Sequence, residues 1–442
     1  MGPTALVLLC TARARQARPS APVAALVRTV DLRQACPHFE ACPGCSVARR
    51  LDEPPVLERA RAFFRAECGV ADVPSVCGAA TGWRTHAKLA VRGTAESPRI
   101  GLFKARSHDV LEIPHCAVQH PAINEGAAEL ARLMASARTT VYDEASGTGL
   151  VRYVQMSVER ASATVQLVLV CNAPPPPAAR APSAHAPRSA APRGLDALLE
   201  LLAERMAHGA TVWHSVWVHF NDERRNNIIS YAPSTAGRWR LALGAPTVRE
   251  VVGARTFEFP PFVFRQANLD AFEAIVRQVA DAVPAGAAVA ELYAGVGILG
   301  LNCVERALSV RCSDVNPHLD APVAAALALL PPELRARATY TRVDAADAAA
   351  AELPGADTLI VDPPRKGLDP ALLRELCAPR AAGGAARDVQ LLAYVSCGYD
   401  ALERDARALV GGGGGWVVRS ARAHVLFPGA DHIETVAVLE RR

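Results

Sequence analysis

From about residue 250 onward, short apolar runs alternate with helix-like stretches, and this alternation limits the chain to very few folds. Helical patterns at 268–282, 319–330, 370–377 and 401–409 are interleaved with strand-like runs at 289–292, 309–314, 358–361 and 389–395. Further strand-like runs at 416–421 and 433–439 close the chain. A strand that is followed by a helix and then another strand predicts a doubly wound, mostly parallel sheet, an α/β fold. Ligands of such sheets sit at the carboxyl ends of the strands. The runs end at those points in polar or glycine-rich residues.

The first such end reads Glu291-Leu-Tyr293-Ala-Gly295-Val-Gly297-Ile-Leu-Gly300. Its glycines allow a tight turn and close approach of backbone to ligand. Asp314 ends the next run, where a carboxylate can accept from two ribose hydroxyls. The spacing Gly295-x-Gly297-x-x-Gly300 also matches the dinucleotide fingerprint, so a nicotinamide enzyme remains open at this point. The next tip is Asp362-Pro363-Pro364-Arg365-Lys366-Gly367, where two prolines stiffen the chain behind an acid. Tyr394-Val-Ser396-Cys397-Gly398 puts a cysteine at the tip of an apolar strand, and His432-Ile433-Glu434 puts an acid at the start of the last. A lone cysteine after a strand is usually a small buried hydrophobe. Its place after Asp362 on the next strand makes it a candidate nucleophile.

Taken in order, Phe264-Arg-Gln266-Ala-Asn268, the glycine turn, Asp362-Pro-Pro-Arg365, Tyr394-Val-Ser396-Cys397 and His432-Ile-Glu434 resemble the RNA 5-methyluridine methyltransferase family over residues 250–442. The resemblance implies a Rossmann-like domain dependent on S-adenosyl-L-methionine, spanning 251–442. It implies Cys397 as the nucleophile that adds to carbon 6 of uracil and Glu434 as the base that removes the proton from carbon 5. It also assigns Gln266, Tyr293, Asp314 and Asp362 to the methyl donor. Gly295 and Gly297 of the turn are expected there too, with Asp344 in the adenine region. Asp314 stands where the family usually has Glu, and Gly398-Tyr399 replaces its common Asn-Pro. Two alternatives stay open: cytosine-C5 methylation by the same covalent logic, and a non-catalytic iron–sulfur RNA-binding protein.

Residues 31–250 read as a second, mixed and β-rich domain. A strand is expected at 87–91, a hairpin within 151–171, a helix at 195–208, and strands at 212–220 and 227–231. The Pro/Ala-rich stretch 173–194 cannot build a core and reads as a flexible insertion. Cys36-x5-Cys42-x2-Cys45 is an array of thiols at metal-ligand spacing. The iron–sulfur subgroup of the same family supplies a fourth cysteine, matched by Cys116. The resemblance therefore implies a [4Fe–4S] cluster, with zinc as the alternative, in a domain that binds rRNA or tRNA. Lys88, Lys104 and Arg106 are candidate phosphate contacts.

A net charge of +4 permits a nucleic-acid partner without demanding one. No apolar run approaches the ~20 residues of a membrane helix, so no membrane partner is expected, and the chain reads as a monomer. Residues 1–30 carry Arg13, Arg15, Arg18 and Arg28 but no Asp or Glu, which suits an organelle transit peptide as well as a disordered tail. A plastid or mitochondrion is the expected compartment, and otherwise the cytoplasm.

Overall fold

The computed structural model describes residues 27–175, 194–209, 211–223, 228–229 and 237–442, and two large sheets organise this part of the chain. Most of the Arg-rich start, nearly all of the stretch 173–194 and most of the expected strand at 227–231 lie outside the described residues. Among the described residues no helix is long and apolar enough to cross a membrane.

A short strand, β1 (Ser75–Cys77), precedes the first sheet. That sheet contains β2 (His86–Gly93), β3 (Pro98–Phe103), β4 (Val110–Glu112), β5 (Val151–Glu159), β6 (Thr164–Cys171), β7 (Trp213–Phe220) and β8 (Trp239–Gly244) in the order β4-β3-β2-β5-β6-β7-β8. The hairpin read from 151–171 is β5 and β6, which pair antiparallel. Strict alternation sorts their side chains between two faces. Val154, Met156, Leu167 and Leu169 pack under the helices Pro121–Ser136 and Leu195–Ala207. Tyr153, Val168, Val170 and Trp217 face the other way, onto Phe262.

The second sheet follows a hairpin of β9 (Val248–Val252) and β10 (Arg255–Phe259). It holds β11 (Ala288–Leu292), β12 (Ser309–Asp314), β13 (Ala338–Arg342), β14 (Thr358–Val361), β15 (Leu391–Ser396), β16 (Trp416–Val425) and β17 (Glu434–Arg441). Their order is β1-β16-β17-β15-β14-β11-β12-β13. β11 pairs in parallel with β12 on one side and β14 on the other. The chain thus reverses direction across the sheet at β11, and the crevice beyond the carboxyl ends of β11 and β14 is where such folds bind ligands. The doubly wound expectation holds in this half. Strand β13 and the helix Ala345–Glu352 were not expected from the sequence. β13 is an edge strand with one buried residue, and the helix is mostly alanine, so neither shows a strong apolar period.

The boundary at 250/251 needs correction in two places. β1 lies at the edge of the second sheet, parallel to β16, with Ser75 opposite Ala423. The helix Pro55–Cys68 buries Leu57, Ala60, Phe63 and Phe64 in the same core as Leu402, Ala406 and Ala423. Its apolar stripe needs a covered face, and the long helix Tyr399–Gly411 and β16 supply one. The β9–β10 hairpin spans the expected boundary and buries Val248, Val252, Phe257 and Phe259 in the second core. The second unit therefore draws on residues 55–77 and about 248 onward.

Candidate active site

The glycine turn is held from several sides. Tyr293 has φ 59°, rare for a bulky residue, and Gly295 and Gly297 follow at 54° and 81°. A non-glycine in this region costs about 1–2 kcal/mol, so surrounding bonds must hold it there. The Tyr293 hydroxyl accepts from Asp369 N at 3.0 Å, on the loop after β14. Ala294 N donates to Ser313 O at 3.0 Å and Gly295 N to Asp314 Oδ2 at 2.9 Å. Asn316 N donates to the other oxygen, Asp314 Oδ1, at 2.9 Å. Both Asp314 oxygens are thus oriented by backbone, and each keeps a lone pair. Beneath the turn, buried Glu291 accepts from Gly300 N at 3.0 Å and from the Cys312 thiol at 3.1 Å.

Two further donor-site candidates stand apart. Asp344 is exposed and caps the helix Ala345–Glu352, accepting from Ala346 N at 3.0 Å. Gln266 is buried on the segment leading into the helix Leu269–Ala282. That segment is fixed by Arg265, which donates to Glu250, and by Thr85 N, which donates to Ala267 O at 2.8 Å. Among the described residues Gln266 makes no hydrogen bond to the glycine turn.

The reacting candidates meet because β17 runs antiparallel to β15. Ser396 pairs with Thr435, so Cys397 and Glu434 are the next residues on each side. The start of an antiparallel strand lies beside the carboxyl ends of its neighbours, which puts an acid from the last strand at the tips of β14 and β15. Gly398 lets these tips close up, since a Cβ there would stand 2.4 Å from Arg365 O. His432 Nε2 donates to Cys397 O at 2.8 Å.

The electrostatics of the cleft are acidic. Burial pushes the Asp362 carboxyl up to about 7. Glu434, 2% exposed, is pushed up to about 8 by burial and then by the Asp362 charge, with Arg365 opposing. Half-buried Cys397 is pushed up to about 11 by burial and then by Glu434 and Asp362, again with Arg365 opposing. At neutral pH these surroundings favour the protonated thiol and the protonated Glu434. A cation delivered beside these groups favours the ionised forms.

Cys36, Cys42, Cys45 and Cys116 line a single cavity of about 260 Å³, together with Arg84 and Lys88. Gly44 N donates to Cys42 Sγ at 3.4 Å. Burial, and then the neighbouring Cys116, Cys42 and Cys36, push the Cys45 thiol up to about 12, while Arg84 opposes. Among the described residues no three His, Cys, Asp or Glu side chains stand close enough to hold one metal ion.

No protein-family model matches the chain. An RNA methyltransferase of Protochlamydia amoebophila, itself uncharacterized, is 36% identical over 408 residues, which cover 92% of this chain and 97% of the relative. The chain belongs to the RNA methyltransferase family. An uncharacterized RNA methyltransferase of Bacillus cereus is 25% identical over 433 residues, covering 93% of this chain and 84% of that protein. The Pyrococcus abyssi tRNA (uracil-54, C5)-methyltransferase, solved in complex with S-adenosyl-L-homocysteine, shares the fold at a TM-score of 0.63 and 21% identity. That match covers 87% of this chain and 82% of the archaeal one.

Within this RNA methyltransferase the site has supports that motif reading passed over. Asp405 is fully buried on the helix Tyr399–Gly411 and gathers the Tyr394 hydroxyl at 2.8 Å and Leu368 N at 2.9 Å, while Arg404 pairs with its other oxygen at 2.7 Å. It therefore ties the loop that carries Asp362 and Arg365 to β15. The available signal was an acid on an otherwise apolar helix stripe of Leu402, Ala406 and Leu409. Glu291 and His432 lay within quoted motifs, but only the folded chain shows what each one holds.

Proposed function

We propose that the protein methylates carbon 5 of a uridine in structured RNA, rRNA or tRNA, with S-adenosyl-L-methionine as donor. The observation that carries this reading is the pairing of β15 with β17, which sets Cys397 and Glu434 side by side with Asp362 at the neighbouring tip. The names of the relatives and the fold shared with a uracil-C5 enzyme support it.

Carbon 5 of uracil is a weak nucleophile. The Cys397 thiolate bonds to carbon 6, and the ring electrons shift onto carbon 5 and the carbonyl as an enolate. Carbon 5 then takes the methyl group, whose bond to the sulfonium sulfur breaks with its electron pair left on sulfur, so that S-adenosyl-L-homocysteine would be the leaving product. Glu434 takes the proton from carbon 5, and the electron pair of that C–H bond restores the double bond as sulfur leaves carbon 6. The target base must leave its stack to reach a thiol at a strand tip. Tyr293, Gly295, Gly297, Asp314, Gln266 and Asp362 are the residues assigned to the donor, with Asp344 at the adenine end. The donor supplies a methyl group on a sulfonium, whose positive charge favours the ionised thiol and carboxylate. Asp362 and Arg365 orient the base, and Arg365 offsets part of the negative charge of the cleft.

Cys36, Cys42, Cys45 and Cys116 are assigned to a [4Fe–4S] cluster. What supports this assignment is one cavity lined by all four thiols beside Arg84 and Lys88, two cations suited to an anionic group. Iron and acid-labile sulfide analysis of protein purified without oxygen tests this directly.

The catalytic reading is tested with RNA containing 5-fluorouridine or 5-fluorocytidine. A denaturant-stable adduct with the first alone, lost in Cys397→Ala, is expected. An adduct with 5-fluorocytidine RNA instead establishes the cytosine alternative. Wild-type protein that binds RNA but forms neither adduct establishes the non-catalytic one.

A further inference from the structure

The loop that delivers Glu434 rests on the loop that carries the cysteines. Ser46 N and Val47 N both donate to Gly429 O, at 2.8 and 2.9 Å. Asp431 N donates to Ser46 Oγ at 3.2 Å, and Val56 N to Asp431 Oδ1 at 2.8 Å. Gly429 has φ 101°, and a Cβ there would stand 2.7 Å from Leu32 Cδ1 and 3.3 Å from Cys45 Sγ. The backbone of the catalytic loop thus lies directly against a ligand candidate of the cavity. Ring contacts continue the path from Trp83 to Phe427 at 5.4 Å and from Phe427 to His432 at 5.3 Å. His432, two residues before Glu434 in sequence, then donates from Nε2 to the carbonyl of Cys397. A carbonyl only accepts, so Nε2 carries the proton, and burial lowers the tendency of the ring to take a second.

We infer that the cysteine loop braces the catalytic loop, and that His432 is the positioning residue through which this brace reaches Cys397. Filling the cysteine site then sets the rate of thiol addition to RNA without acting on the donor. The inference rests on the reading of Cys397 as nucleophile and of the four cysteines as cluster ligands.

The contacts along this path are backbone to backbone, backbone to a short side chain and ring to ring, and the last is the hydrogen bond from the His432 ring to the Cys397 carbonyl. Such contacts transmit position and not charge, so the expected effect falls on the rate of the bonded step. A displacement of about 1 Å at a reacting atom can cost ~100-fold. The donor candidates Tyr293, Gly295 and Asp314 hang from β11, β12 and the Asp369 loop, which lie outside the path.

The test compares wild type, His432→Ala and His432→Gln, each as purified and after anaerobic removal of the metal by a chelator. Readouts are the single-turnover rate of adduct formation at saturating 5-fluorouridine RNA, the KM for RNA, the Kd for S-adenosyl-L-methionine, and iron content. His432→Ala is expected to keep its iron and donor affinity within ~2-fold while the rate falls ~10- to 100-fold with little change in KM. His432→Gln can restore the donor to the carbonyl and should recover most of the rate. Stripping the wild type should slow it to a similar degree with donor affinity unchanged, and stripping His432→Ala should add little, because residues on one path do not act additively. The inference is overturned if His432→Ala reacts like wild type, if His432→Gln is as slow as His432→Ala, or if the two losses multiply. Should stripping unfold the protein, the two His432 variants decide alone. Untreated wild type that forms no adduct overturns the catalytic reading and not the brace.

Discussion

The active-site cleft and the cysteine cavity both gather ionisable groups out of water, and they differ in what faces those groups. In the cleft, Asp362, Glu434 and Cys397 crowd together, and the cation that opposes the shifts of Glu434 and Cys397, Arg365, is itself exposed. In the cavity, four cysteines share their walls with Arg84 and Lys88, both half-buried. Arg84 stacks on Trp83, 4.9 Å from the ring centre. In each region burial disfavours the ionised acid or thiol. The cavity sets two half-buried cations against its thiols, whereas the cleft has one exposed arginine against three acidic groups and so suits a cationic ligand.

The largest expected effect that could break this comparison is at Cys397. Cys397→Ala should reduce methylation by at least ~1000-fold and abolish the adduct, because removal of a covalent nucleophile leaves only binding. Methylation at the wild-type rate, measured by transfer of a labelled methyl group, would show the cleft to be something other than the reacting centre. Next in size is Gly398→Ala. Its Cβ meets Arg365 O at 2.4 Å, so the tips of β14 and β15 must part. A ~10- to 100-fold loss of rate with the melting temperature lowered by only a few degrees is expected.

Glu434→Gln sharpens the contrast by separating activity from stability. Without the base the adduct should form and persist, seen as a stable protein–RNA band even with unmodified uridine RNA. The carboxyl has its folded pKa raised to about 8 from an ordinary 4.5. An acid shifted upward stabilises the fold fully only below its unfolded value, and that stability drains away as pH rises from about 4.5 to about 8. At pH 7 the substitution should therefore raise stability by ~1–3 kcal/mol, while at pH 4 it should change little. Denaturant melts at the two pH values measure this. The same shift predicts that release of methylated product slows as pH falls below about 8 in the absence of a compensating cation.

The smallest effect is expected in the cavity. Arg84→Gln removes one of the cations that face the thiols and should speed loss of iron to a chelator several-fold, with donor affinity unchanged. No change in release rate would mean that Arg84 serves only to pack on Trp83.

Much of this was legible before folding. The tips of β11, β12, β14 and β15 were marked by apolar runs ending in Tyr293, Asp314, Asp362 and Cys397, because strand periodicity and terminal polar residues are local signals. The three close cysteines were legible for the same reason. Asp405 was not, since an acid on a helix reads as solvated until the Tyr394 hydroxyl and Leu368 N are seen to converge on it. The helix Pro55–Cys68 and β1 were assigned to the wrong half because composition changes gradually there, while their partners lie more than 300 residues away.

The sequence alone determined which residues could bear chemistry: a cysteine and an acid at strand ends, a glycine turn between strand and helix, and thiols at ligand spacing. Tertiary structure decided which of them meet. Glu434 reaches Cys397 only because β17 runs antiparallel to β15, and Gly429 reaches Cys45 only because the first and last parts of the chain pack together. Strand direction and long-range docking follow from backbone pairing and shared burial between distant segments, and no local pattern of residues encodes either.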